Sequence, residues 1–100
     1  MASPRIDGLE IAGGSARVSG VLALDSVPSL LRELEPLLAR GEIAVLDVAA
    51  ARNADSAALA FLFACRRRAA AHGHPLRLSA LPEALTALAR LYGVDALLAP

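Results

Sequence analysis

Apolar positions recur along this chain with two different periods. Over residues 27–40, Val27, Leu30, Leu31, Leu34, Leu37 and Leu38 follow the i, i+3, i+4, i+7 spacing of an amphipathic helix. Arg32, Glu33, Glu35 and Arg40 fall largely on its other side. Asp25 or Ser26 is placed to cap this helix, with capping the expected role of Asp25 over a place on a binding rim. Pro28 suits the first turn, and Gly41 is a stop. Pro36 lacks an N–H and crowds the preceding turn, so it predicts a kink or an early end. Residues 83–92 form a second amphipathic segment. Leu85, Leu88, Ala89 and Tyr92 share one face, and Gly93 follows.

Between these lies a unit of another kind. Residues 42–48 hold the short apolar run Ile43, Ala44, Val45, Leu46 and Val48, which predicts a buried strand. Arg52, Asn53, Asp55 and Ser56 break the run. Residues 57–65 are then apolar throughout, rich in Ala and Leu and free of β-branched side chains. That composition predicts a largely buried central helix, running through Arg66, Arg67 and Arg68 to about His72 and ending at Gly73. Residues 5–11 and 17–22 read as two strands joined at Gly13 and Gly14, and residues 76–79 as a further strand. Residues 94–100 predict one more short helical turn or a terminal strand. The order β-β-α-β-α-β-α predicts one α/β domain over residues 1–100, a mixed sheet of about four strands with helices packed on one face.

Composition narrows the function. The chain is 56% hydrophobic but only 3% aromatic, so Leu, Val, Ile and Ala must build the core. Ten arginines balance ten acidic residues, and there is no lysine. A net charge of zero argues against a nucleic-acid binder working through bulk electrostatics. The single Cys65 excludes an internal disulfide, gives no paired-cysteine metal signature and points to a reducing compartment. No secretory signal is visible after Met1, and no apolar stretch approaches the roughly 18 residues of a membrane span.

The pattern resembles a STAS domain, the fold of sulfate transporters and anti-sigma factor antagonists. Val18-Ser19-Gly20-Val21-Leu22 stands where that family has a strand ending in a Ser-Gly-Glu-Leu-Asp turn. Val45-Leu46-Asp47-Val48 stands at its central strand. Asp55-Ser56-Ala57-Ala58-Leu59 stands at the Asp-Ser/Thr-x-Gly-Leu motif that opens the second helix. Thr86-Ala87-Leu88-Ala89-Arg90-Leu91-Tyr92-Gly93-Val94 is similar to the ending of the MlaB-like branch, the STAS subunits of phospholipid ABC transporters. Two departures stand out. Val21 and Ala23 replace the acidic pair of the first turn, leaving only Asp25 nearby, and Ala58 replaces the motif glycine. The first weakens a phosphorylation switch, and the second limits how closely another backbone approaches the helix start.

The resemblance implies a non-catalytic cytoplasmic subunit, peripheral to the inner membrane, that binds and supports an ABC transporter ATPase beside a membrane permease. The transport would be of phospholipid, maintaining outer-membrane lipid asymmetry. The alternative is an anti-sigma factor antagonist, with a kinase partner phosphorylating Ser56. A phosphate there would meet free N–H groups and the favourable end of the helix dipole. Ser56 could equally be an unmodified partner contact or a cap. Arg52, Asn53 and Asp55 line the same loop as candidate partner contacts or turn formers. Asp47, expected at a strand end, reads as a loop-capping carboxylate. Arg90 and Tyr92 become candidate contacts under the resemblance; Tyr92 otherwise reads as core. Arg66, Arg67 and Arg68 point in three directions at helical spacing, as a solvated helix end or, beside a bilayer, as contacts for anionic headgroups. His72 and His74 lack the further ligands of a metal site, and Cys65 reads as core. No base stands near Cys65 or Ser56 in the pattern, so neither an enzyme nor a cofactor is expected.

Overall fold

The computed structural model describes residues 9–52 and 55–98. Its elements are β1 (Leu9–Ala12), β2 (Ser15–Val21), α1 (Val27–Ala39), β3 (Val45–Arg52), α2 (Ser56–Ala71), β4 (Arg77–Ser79) and α3 (Glu83–Leu91), with a closing 3₁₀ turn at Asp95–Leu98. The expected element order is present. The first strand's expected start at residue 5 lies outside the described residues.

The sheet has the order β1-β2-β3-β4. β1 pairs antiparallel with β2, while β2–β3 and β3–β4 are parallel. One face is covered. Ala16 and Val18 of β2 are buried, as are Leu46 and Val48 of β3, while the alternating Arg17, Ser19 and Ala49 are exposed. Against the covered face pack Leu30, Leu34 and Leu38 of α1, Phe61, Leu62 and Cys65 of α2, and Leu85 and Ala89 of α3. The opposite face is open and carries Glu10, Arg17, Asp47 and Arg77.

The central strand differs most from expectation. It runs over Val45–Arg52 rather than residues 42–48. Glu42 is held back by the end of α1, its N–H donating to the Leu37 carbonyl at 2.9 Å and its carboxylate meeting Arg40 at 2.6 Å. At the far end, Ala50, Ala51 and Arg52 are drawn into the sheet by Ser19, Gly20 and Val21 of β2. Pairing across the sheet overrides the weak strand preference of an alanine run. The register moves from Arg17–Asp47 to Ser19–Ala50, so β3 carries one residue more than β2. This is a bulge, and it reverses the in–out alternation: Val48 and Ala51 are buried, with Ala49 and Ala50 exposed between them.

All three helices end alike. At Gly41, Gly73 and Gly93 the backbone turns left-handed, and two N–H groups reach back to carbonyls of the last turn. For α1 these are Gly41 to Leu38 at 3.2 Å and Glu42 to Leu37 at 2.9 Å. The pattern closes each helix without a side chain. Gly41 has a second reason to lack one. A Cβ there would stand 2.8 Å from the His74 ring, which lies over this turn. The Pro36 expectation resolves in favour of continuity: α1 runs unbroken through it to Ala39. Pro36 and Arg32 are both exposed, so the turn that lacks this hydrogen bond lies on the solvent side of α1.

Candidate functional site

The β3–α2 junction is built by local chemistry. Arg52 ends β3, exposed, with its carbonyl accepting from the Leu22 N–H at 3.1 Å. Asp55 is extended, at φ −126° and ψ −164°, and caps α2: its Oδ1 accepts from the Ala57 N–H at 2.9 Å. Ser56 is therefore the first residue of the helix and not its cap. It is exposed, and its hydroxyl has no hydrogen-bond partner among the described residues. Asn53 lies outside the described residues. Arg52, Asp55 and Ser56 thus share the end of the sheet where the parallel strands terminate, the usual place for ligands in α/β sheets.

The neighbouring turn adds what the sequence reading missed. Val21 pairs with Arg52 and is 49% exposed, and Leu24 in the following turn is 72% exposed. Two exposed apolar side chains therefore lie at the end of the sheet where α2 starts. The available signal was a large apolar residue, Leu24, in the connection between β2 and α1. Ser26 holds that turn shut: its Oγ accepts from the Ala23 N–H at 3.1 Å and is 2.9 Å from the Val21 carbonyl, to which it can donate. It makes no cap to α1, and Asp25 is simply exposed, so the capping role expected of either residue is not found.

Asp47 also corrects its expectation. It lies inside β3, two residues from its start, and not at a strand end. Its Oδ1 accepts from the Ala49 N–H at 2.9 Å, at the bulge where neither Val48 nor Ala49 has a partner on β2. Arg17 stands 3.9 Å from its other oxygen on the open face. Both are partly exposed, so this pairing contributes little; the amide bond is the stronger reason for Asp47.

Arg90 and Tyr92 are not brought to the α2 start. α2 and α3 each follow a strand of the parallel set and begin at the same end of the sheet. Arg90 and Tyr92 close α3, about 10 and about 13 Å along it from Glu83 at about 1.5 Å per residue. Tyr92 is not core. α3 ends at Leu91, and Tyr92 at φ −90° and ψ 0° begins the closing turn, which leaves it 55% exposed.

The three arginines of α2 diverge as expected. Arg66 donates to the Leu97 carbonyl at 2.6 Å, Arg68 meets Glu35 of α1 at 3.1 Å, and Arg67 is exposed between them. Cys65 is buried, and desolvation pushes its thiol up to about 12, so it is not a nucleophile at neutral pH. Among the described residues, no cluster of three or more His, Cys, Asp or Glu side chains could hold a metal. No described helix is long and apolar enough to cross a membrane.

This end of the sheet brings together an exposed hydroxyl at a helix start, an exposed arginine and two exposed apolar side chains. Comparison with curated proteins finds no match. A family model described as MlaB, STAS domain matches residues 11–99. That span takes in the whole sheet but its first two residues, all three helices and the junction itself. With the mixed four-stranded sheet and three helices on one of its faces, it shows that this chain belongs to the STAS domain family and is MlaB-like.

Proposed function

We propose that this chain is a non-catalytic cytoplasmic subunit that binds the ATPase of a phospholipid ABC transporter and supports its assembly or activity, serving outer-membrane lipid asymmetry. It is held at the inner membrane through a complex with the permease. The observation that carries the reading is the exposed Ser56 at the start of α2 in a chain of MlaB-like type. Asp55 already satisfies the local cap, which frees the Ser56 hydroxyl for a partner. Val21 and Leu24 supply apolar contact beside it, and Arg52 a charged rim. A rigid one-sided α/β body docked there acts by binding two states of the ATPase unequally, since equal binding would shift nothing.

The test is co-purification. The tagged chain, drawn from detergent-solubilised membranes, should bring an ABC ATPase and its permease with it, and Ser56→Arg should lose both while keeping the native melting curve. Retention of the ATPase by Ser56→Arg would show that docking lies elsewhere. A second reading, an anti-sigma factor antagonist, draws on the same exposed hydroxyl. Recovery of a serine kinase that phosphorylates Ser56, with release of the partner afterwards, would install it instead.

A further inference from the structure

A second surface lies further along α2. Phe63, Arg66, Arg67, Val94 and Leu97 line an open groove of about 480 Å³ between α2 and the chain's closing turn. Its floor is apolar. Leu97 in its lining is 61% exposed, and Leu91 and Tyr92, which precede Val94 in the chain, are 76% and 55% exposed, three of the six large apolar side chains exposed among the described residues. The Arg66 bond to the Leu97 carbonyl ties the 3₁₀ turn to α2, the two elements that bound the groove.

Among the described residues, the charge around the groove has one sign with one exception. Two guanidinium groups line it and no carboxylate of a described residue does. Arg67 is exposed and has no ion-pair partner among the described residues, and the same holds for Arg90 at the end of α3. Asp95 is the exception, exposed in the 3₁₀ turn beside Val94. An apolar floor under a cationic rim matches a segment whose apolar side chains alternate with carboxylates. Arg67 can grip a carboxylate with two parallel N–H donors. An anionic bilayer fits less well. Polybasic membrane contacts gather about 4–8 basic residues, which this surface lacks, and a bilayer cannot enter a groove.

We propose that this groove docks an acidic peptide segment of a partner protein, its Leu or Phe side chains against Phe63, Val94 and Leu97 and its carboxylate on Arg67. Phe63 lies seven residues beyond Ser56, about 10 Å along the helix, so the groove is separate from the α2 start and does not depend on what docks there.

A random peptide library displayed on phage and selected against the whole chain supplies the probe. Selected peptides should combine Asp or Glu with Leu or Phe. In fluorescence anisotropy, Arg67→Glu and Leu97→Ser should each weaken them about tenfold or more, the effect of losing a charge-assisted bond or an anchor. Ser56→Arg should leave them unchanged. Arg67 and Leu97 are exposed, so melting curves should stay native. Amide chemical-shift changes on titration should centre on Phe63–Arg67 and Leu91–Leu97. An absence of enriched peptides, enrichment of basic ones, or indifference to Arg67→Glu overturns the proposal. So does sedimentation with phosphatidylglycerol vesicles that Arg67→Glu abolishes, which would assign the surface to lipid.

Discussion

Asp47 and Ala80 show how much a single residue's surroundings decide. Asp47 reads in sequence as a generic carboxylate near a loop, yet it accepts from a backbone amide inside the bulge of its own strand. Replacing Asp47 by Ala should cost about 1 kcal/mol, the usual net worth of such a bond, measured as a lower urea midpoint at unchanged slope. Asp47→Asn keeps an acceptor and should recover most of the loss. Ala80 is the only described non-glycine residue with positive φ, at +59°. It stands between β4 and α3, at the same end of the sheet as Ser56. A left-handed alanine is strained by roughly 1 kcal/mol, so Ala80→Gly should raise stability, by less than that because glycine also loosens the unfolded chain. Chemical denaturation of the pair resolves the sign.

At the scale of elements, what was legible is what is local. Helix ends were readable because Gly41, Gly73 and Gly93 close their own helices through bonds to the preceding turn. The α2 start was readable because Asp55 caps it from two residues away. The limits of β3 were not readable, because Ala50–Arg52 become strand only beside Ser19–Val21, some thirty residues earlier in the chain. The apolar flank of the candidate site was hidden for the same reason: Val21 meets Arg52 only once β2 and β3 lie together. Pro36 sits between these cases. Its local cost was visible, but the packing of Leu34 and Leu38 on either side holds the helix through it. Pro36→Ala should restore the missing backbone bond and stabilise α1 by about 1–3 kcal/mol, seen as a raised melting temperature.

For the whole molecule, the buried thiol reports on folding. Cys65 is raised from the ordinary thiol value of 9.0 to about 12, chiefly by desolvation, with the nearby Arg68 opposing the shift. In the unfolded chain the thiol loses its proton near 9, while in the folded chain it keeps it. The unfolded state therefore binds fewer protons above that point, and stability should fall as pH rises from about 9 to 12. Cys65→Ala should flatten this part of the pH profile, although it also removes packing. A disulfide reagent at neutral pH should label Cys65 only as fast as the domain opens, and at once in denaturant.

The bulge in β3 has a consequence for how this chain can vary by descent. Ala49, Ala50 and Ala51 are consecutive, so loss of any one of them yields the same shorter chain. In that chain the strand would alternate without interruption, Val48 and the second alanine facing inward and the arginine still opposite Val21. A one-codon deletion would thus keep the core, the pairing and the order of the loop, and erase only the extra bend before it. Loss of that codon would therefore re-aim the start of α2 while leaving Arg52, Asp55 and Ser56 in the same order.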